Sequence, residues 1–341
     1  MTFSKFLKIL LPLVIFTSIF FAGICFGTER FSISQIFHAL FSSTEEFSLE
    51  TLIIKDIRLS RVLLAFLCGS LLAGSGAVFQ GYFRNPLADS GIMGISSGAT
   101  LGAVLSALIP FGSVSIPFFV QRNLTAFCAF AGALAVSILI YATSRIFAHR
   151  SDSTAVILTG TAMSAFFSAI TSFLLLIKDR ELYRMFSWTL GSFSGKTWQD
   201  LFLVLPVSFI SVILLFICTN FLDILGGGHQ TAKSLGLNPV TARRLVLTAG
   251  SLASACAVCM GGTISFVGLI APHIVRRLYT PRHRFLVPVS MIFGGIFLVL
   301  ADMLSRALIP PAEIPVGIIT ALIGSPFFIS MLITAEGENH D

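Results

Sequence analysis

The sequence predicts an all-α, polytopic membrane protein with about ten transmembrane helices. Of its 341 residues, 55% are hydrophobic and only 11% are charged, whereas soluble domains carry about 25% charged residues. Apolar runs recur along the chain at the length of about 20 residues that a helix needs to cross a bilayer. These runs lack the alternation of polar and apolar residues that a transmembrane β-strand would show. Because a backbone in lipid must satisfy its own hydrogen bonds, we expect every span to be a helix.

Nine apolar runs are long enough to be predicted as full spans. They cover residues 6–27, 62–83, 90–109, 123–146, 153–177, 201–221, 245–263, 285–305 and 315–335. A tenth element, residues 264–278, is shorter, so we expect a half-helix packed within the protein. The first run is interpreted as a retained helix and not as a signal peptide, and residues 1–341 form one predicted membrane domain. Ten passes place both termini on one side, which a small excess of Lys and Arg assigns to the cytoplasm.

Motifs that could carry enzyme chemistry fail on spacing or position. Residues 191–197 resemble a phosphate-binding loop, but three residues separate the two glycines where four are needed, so we expect no ATP hydrolysis by this chain. Cys256 and Cys259 form a Cys-x-x-Cys in mid-span, where we expect two buried packing residues. His273 has no second ligand at a metal-binding spacing. We therefore predict no catalytic, cofactor-binding or metal-binding residue, and a chain that is not an enzyme.

Charged residues within the spans are scarce. Asp302 lies four residues before Arg306, a spacing typical of an ion pair on one helix face. An ion-coupled secondary transporter or a channel would require several buried acids facing a cavity, and this class is the competing prediction. Arg58 and Arg61 share a helical turn at the outer start of the second span. Together with Arg306, they are either interface anchors whose charged ends reach water or a docking surface for a partner's carboxylates.

A polar hairpin, residues 84–91, interrupts the apolar pattern on the predicted cytoplasmic side. Pro86 forces Asn85 out of the helical region of backbone space. Leu87 is apolar at a point where solvent would favour a polar residue. This composition indicates a moving or pore-lining part of the protein.

A second polar segment, residues 226–239, lies on the same predicted side. Flexible glycines lead into a short helix from Gln230 to Leu235, which Gly236 and Pro239 are expected to stop. Such a helix either docks a soluble partner or rests on the membrane surface.

Four stretches of this chain resemble the FecCD-type permease family, the transmembrane subunits of ABC importers for iron–siderophore complexes, haem and cobalamin. They are RLSRVLLAFLCGSLLAGSGAVFQGYFRNPLADSGIMGISSGA (58–99), SLGLNP (234–239), GGTISFVGLIAPHIVRR (261–277), and LADMLSR with EIPVGIITALIGSPFF (within 300–328). The stretches follow the family order across nearly the whole chain. The resemblance implies a type II ABC importer permease fold in the bacterial cytoplasmic (inner) membrane.

The resemblance also implies partners. We expect a second permease copy in a homodimer, two cytoplasmic ATPase subunits that use ATP and Mg, and an extracytoplasmic substrate-binding protein. This chain itself is expected to bind no cofactor, to contact the lipid bilayer and to have no nucleic-acid partner. The expected cargo is an iron–siderophore complex, with haem and cobalamin as alternatives.

Three sets of residues receive roles from the resemblance. The cytoplasmic gate would comprise Asn85, Pro86, Leu87, Ser151, Ser153 and Thr154. The ATPase-coupling segment, about 222–243, would act through Lys233, Ser234, Leu235, Gly236 and Leu237. The binding protein would dock on Arg58, Arg61 and Arg306. The loop with Trp188 and Gly191 would be a re-entrant piece near the outer mouth.

Overall fold

The computed structural model describes residues 17–27, 31–41, 48–109, 118–146, 153–177, 185–228, 232 and 234–337. Within these ranges every regular element is helical, which confirms the predicted all-α class. The helices are α1 (17–25), α2 (Ile33–Phe41), α3 (Leu49–Phe83), α4 (Ile95–Ser106), α5 (Phe118–Ile146), α6 (Ser153–Ile177), α7 (185–189), α8 (Trp198–Gly226), α9 (Pro239–Gly261), α10 (Val267–Leu278), α11 (His283–Ala307) and α12 (Val316–Gly337).

Six of the described helices, α3, α5, α6, α8, α9 and α11, are long and apolar enough to cross a membrane. The predicted span at 90–109 is different in the structure, because α4 has only 12 residues, a rise of about 18 Å. It starts late because residues 90–94 form turns and Gly94, at φ 79°, holds a left-handed conformation at the helix start. The short element predicted at 264–278 is confirmed as α10, also 12 residues long.

Helix α3 forms the centre of the bundle and contacts α8, α9, α10 and α11. Glycines allow two of these contacts to be backbone against backbone. A Cβ on Gly69 would overlap the carbonyl of Gly294 in α11, and a Cβ on Gly76 would overlap the carbonyl of Gly268 in α10. Inside lipid, helices lack a hydrophobic driving force for association, and small residues at such crossings favour it by allowing close van der Waals packing.

The remaining apolar helices surround this centre. Helix α4 packs on α5 and α6, and α9 lies between α3, α5 and α8. Large apolar side chains of α6 and α8 are exposed, among them Leu158, Phe166, Phe173, Phe202 and Phe209. Exposed apolar surface of this extent on apolar helices is expected to contact lipid or another protein chain.

Candidate functional site

The hairpin between α3 and α4 is fixed by local hydrogen bonds. Arg84 ends α3 in a left-handed conformation (φ 50°) and donates a hydrogen bond to the carbonyl of Leu225. The Asn85 side-chain oxygen accepts the N–H of Leu87 at 2.9 Å, an Asx turn that encloses Pro86. Pro86 is exposed, and its two neighbours are half-buried. Three of the predicted gate residues therefore lie together at a bend on the bundle's end.

The other three predicted gate residues are less defined. Ser151 lies outside the described residues. Ser153 begins α6 and Thr154 follows it in the first turn, and the description covers their backbone only. The gate assignment therefore stays a prediction.

Asp89 anchors the hairpin inside the bundle. Its carboxyl is buried, its Oδ1 finds no hydrogen-bond partner among the residues that the structure describes, and this oxygen is 2.2 Å from the place that a Cβ on Gly268 would occupy. Burial raises the pKa of Asp89, although backbone hydrogen bonds from Ser90 and Gly91 oppose the shift. The cause of the rise is that a charged carboxylate loses its hydration when it is buried.

The α8–α9 turn, residues 226–239, reverses the chain beside this hairpin. Lys233 and residues 229–231 lie outside the described residues. Ala232 and Ser234 are helical, as predicted for this stretch, and the N–H of Leu237 donates to the carbonyl of Ala232 at 2.9 Å. With Gly236 at φ 80°, this bond forms the Schellman ending of a helix, which requires a left-handed residue.

Pro239 has a different role from the predicted one. It occupies the first turn of α9, where the backbone N–H that proline lacks would have no acceptor within the helix. Asn238 caps the same helix, since its side chain accepts the N–H of Val240 at 2.9 Å. The chain therefore leaves the short helix at Gly236 and enters α9 within three residues.

The α8–α9 turn has an outer side and an inner side. Leu235 is 66% exposed, whereas Leu237 is 9% exposed and packs with Leu225, Ala232 and Ala242. Tyr82, at the end of α3, also packs against this cluster. We call the end of the bundle that carries residues 84–94 and 226–238 the hairpin end.

The three predicted docking arginines lie at the opposite end, which we call the arginine end. Arg58, Arg61 and Arg306 are only 5%, 5% and 4% exposed. A side chain meets a partner protein through solvent-exposed atoms, and little of these three side chains is exposed; docking on them stays a prediction. The three side chains are also unlike interface anchors, whose charged ends reach water.

The Arg61 guanidinium is held by two carboxylates. Its Nε and Nη2 donate to Asp302 at 2.8–3.1 Å, and its Nη1 donates to Glu313 at 2.9 Å. Asp302 also pairs with Arg306 at 3.1 Å, which confirms the ion pair predicted from the spacing of these two residues. Burial would raise the pKa of Glu313, but hydrogen bonds and charge from Arg61 outweigh it and lower that pKa below its ordinary value.

Arg58 and Arg306 both bind the carboxyl end of α1. Arg58 Nη1 donates to the carbonyls of Ile24 and Cys25 at 2.7 and 3.1 Å. Arg306 donates to the carbonyls of Gly23 and Phe26, both at 3.0 Å. The last carbonyls of a helix lack partners in the helix and carry partial negative charge. The two guanidinium groups therefore cap α1 electrostatically.

The loop predicted to be re-entrant packs at the arginine end. After α7, which includes Trp188, Gly191 turns the chain at φ 74°, and Ser192 donates to the carbonyl of Gly261 at 2.8 Å. At the start of α8, Asp200 accepts the Thr197 N–H at 2.9 Å. A carboxylate at this position repels a phosphate anion, which argues against a phosphate-binding loop here.

Comparison with known proteins decides the family. The model of the FecCD transport family matches residues 13–334. The chain belongs to the FecCD transport family. It is therefore a multi-pass membrane permease component of an ABC importer of the iron-chelate, haem and cobalamin type, and not an enzyme. The family implies ATPase and substrate-binding partners.

Relatives in this family are named for several cargoes. The chain is 42% identical to the cobalamin import system permease of Halobacterium salinarum, over 83% of this chain and 74% of that protein. It is 37% identical to the hemin transport system permease of Yersinia pestis, over 82% of each chain. It is 35% identical to an Fe(3+)-citrate import permease of Bacillus subtilis, over 98% of this chain and 96% of that protein.

A solved structure also matches this FecCD permease. It is a metal-chelate type ABC transporter in an inward-facing conformation, with a TM-score of 0.81 and 30% identity. The match covers 96% of this chain and 99% of that chain.

Three residues of the two ends were not identified from the sequence. Glu313 is the second carboxylate that binds Arg61, Arg84 connects the end of α3 to the end of α8, and Tyr82 packs against the cluster around Leu225 and Leu237. Arg84 does carry a local signal, because it is a cation directly beside the Asn85-Pro86 turn. Glu313 and Tyr82 carry no local signal of their roles.

Proposed function

We propose that this FecCD permease moves an iron–siderophore complex across the bacterial inner membrane, driven by two ATPase subunits that dock on the α8–α9 turn. The observation that carries this proposal is the packing of Tyr82, at the end of α3, against the cluster that contains Leu237 of that turn. In this arrangement the hairpin end faces the cytoplasm, and both termini lie there.

The two-sided packing of the α8–α9 turn supports a coupling role. Leu235 and Ser234 are exposed and would contact the ATPase. Leu237 packs inward against the cluster that Tyr82 of α3 also contacts. Movement of the turn would therefore displace the end of α3.

Arg84 extends this connection toward the gate. It donates to the carbonyl of Leu225, at the end of α8, and directly precedes Asn85. A shift of α8 would therefore pull on the hairpin. Asn85, Pro86 and Leu87 would then open or close the exit. The predicted gate residue Ser151, together with Ser153 and Thr154 in the first turn of α6, would take part in this movement.

A second copy of the chain would complete the path. The exposed apolar face of α6, with Leu158, Phe166 and Phe173, is suited to pairing across a dimer axis. The gate hairpins of two copies would then face each other. The substrate-binding protein would dock at the arginine end, where the buried arginines hold α1, α3 and α11 together.

The names of relatives support the cargo proposal. Besides the ferric-citrate permease, relatives are named for iron chelatin in Helicobacter pylori and iron(3+)-hydroxamate in Bacillus subtilis, at 37% and 36% identity. Cobalamin is the second candidate, because a relative named for it is 42% identical.

Coupling is tested by Leu235→Asp in proteoliposomes that contain the permease, its ATPases and its binding protein. We expect ATP-driven uptake to fall at least ten-fold while membrane insertion is normal, because a charge replaces the apolar contact. Leu278→Asp is the matched control, since Leu278 is an exposed leucine at the end of α10 outside the turn. Unchanged uptake in Leu235→Asp would remove the coupling role.

The cargo is tested in the same vesicles with three labelled compounds. Iron–siderophore uptake should exceed haem and cobalamin uptake. Preferred uptake of cobalamin or haem would refute the proposed iron–siderophore cargo. Uptake driven by an ion gradient in vesicles without ATPases would refute the ATP-driven mechanism and indicate an ion-coupled secondary transporter.

A further inference from the structure

A groove between α5 and α9 belongs to none of the roles above. It encloses about 530 Å³. Leu134 and Ile138 of α5 form one wall, and Leu247 and Leu252 of α9 form the other. A volume of this size lies within the range of ligand sites in proteins.

The two ends of the groove differ in polarity. At the hairpin end, Arg244 Nε donates to the Tyr141 hydroxyl at 2.8 Å. Leu134 and Leu252 lie two helical turns deeper along their helices, roughly 10–12 Å away. The groove therefore has a cation and a phenol at one end and a mainly aliphatic interior, in which the hydroxyls of Ser137, Thr248 and Ser251 are the other polar groups of the lining.

The groove opens on a surface that a membrane would cover. Ile138, which lines it, is 67% exposed, and Leu139 beside it is also exposed. Phe209 and Phe216 of α8, which also packs on α9, are exposed as well. Arg244 is the sixth residue of α9, about 7.5 Å along the helix from Pro239. This depth suits the boundary between headgroups and acyl chains.

Arg244 has capacity for a further acceptor. The described part of the chain gives it one hydrogen bond, through Nε, and no ion pair. Arginine presents a planar set of donors that fits phosphate oxygens. An exposed cation at the lipid boundary, above an aliphatic groove, is complementary to an amphiphile that carries a negative headgroup.

We propose that this groove binds an anionic phospholipid, with the phosphate at Arg244 and Tyr141 and an acyl chain between Ile138 and Leu247. A basic side chain at a membrane surface contributes about one kcal/mol toward an anionic lipid. That contribution corresponds to about a five-fold change in affinity. A neutral or zwitterionic lipid would lack this preference.

The test uses the intact permease–ATPase complex and native mass spectrometry with added phosphatidylglycerol or phosphatidylethanolamine. We expect the unmodified protein to retain phosphatidylglycerol preferentially, and Arg244→Gln to weaken its binding about five-fold. Thr248→Trp, which fills the groove without touching the charge, should displace the lipid as well. Arg282→Gln is the matched control, because Arg282 is exposed at the same end but outside the groove.

Three results would overturn the proposal. The first is equal retention of the two lipids by the unmodified protein. The second is an equal loss in Arg282→Gln and Arg244→Gln, which would indicate a nonspecific surface charge effect. The third is full phosphatidylglycerol binding by Thr248→Trp, which would place the lipid elsewhere. If Arg244→Gln fails to fold, Arg244→Lys replaces it and should keep the preference for the anionic lipid.

Discussion

Replacing Asp302 by Asn removes the carboxylate that lies between Arg61 and Arg306. This carboxylate is buried, and it accepts hydrogen bonds from Arg61 at 2.8–3.1 Å and pairs with Arg306 at 3.1 Å. Breaking a buried ion pair from one side leaves an uncompensated charge and costs about 3–5 kcal/mol. We expect Asp302→Asn to lower the free energy of unfolding by that amount, because two guanidinium groups then share Glu313.

Unfolding in lipid–detergent micelles, followed by tryptophan fluorescence, measures this change. Trp198 reports on the arginine end, since its Nε1 donates to the carbonyl of Lys55 at 3.0 Å. Asp200→Asn is the matched control: its ion pairs are 3.8 Å long and partly exposed, and their loss costs about 1 kcal/mol or less. Equal destabilisation by the two variants would refute a structural role for the cluster. So would an Arg61→Gln variant that unfolds normally but no longer binds the substrate-binding protein.

Three further predictions concern packing, pH and the gate. Gly76→Ala should destabilise the protein by about 1–3 kcal/mol, because the added methyl meets the carbonyl of Gly268 and the backbones must separate. Acid should weaken the arginine end by about 1 kcal/mol. Because the pKa of Glu313 is lowered in the folded protein, the ionised Glu313 carboxylate stabilises the fold at pH values above its ordinary pKa. This stabilisation is lost as the pH falls through the folded-state pKa. Cysteine at Leu87, in a background without the six native cysteines, should cross-link the two permease copies in one nucleotide state and not in another.

Each of these predictions has a control. Gly226→Ala should change stability little, because none of the described atoms lies within 4 Å of a Cβ placed there. Glu313→Gln should flatten the acid-dependent part of the unfolding curve, and an unchanged pH profile would contradict the pairing with Arg61. Cysteine at exposed Leu278 should not cross-link the copies, and equal cross-linking at both positions would argue against a gate at the hairpin.

The long helices were predictable because a membrane span is recognised from a continuous run of apolar residues, which is a local property of the sequence. The end of the short helix before α9 was equally predictable, since Gly236 has the left-handed conformation that a helix stop requires. The start of α4 was not, because apolar composition continues through residues 90–94 while the backbone forms turns. Apolar composition indicates which residues avoid water, but it does not determine the backbone dihedral angles that start or stop a helix.

The burial of the arginines could not be predicted in the same way. Arg61 meets Asp302 and Glu313 from 241 and 252 residues away. An arginine near a span end usually reaches water, so local sequence favoured exposure. The two sides of the α8–α9 turn were also hidden, since Leu235 and Leu237 are alike in sequence and opposite in exposure.

The capping of α1 has a consequence for how the subunit can deform. Arg58 belongs to α3 and Arg306 to α11, and both hold the carbonyls at the end of α1. Sliding α1 past α3 or α11 would break hydrogen bonds between a buried cation and the end of α1, so we expect the three helices to travel as one rigid block. Alternating access would then require the relative displacement to occur elsewhere, between this block and the weakly buried α6.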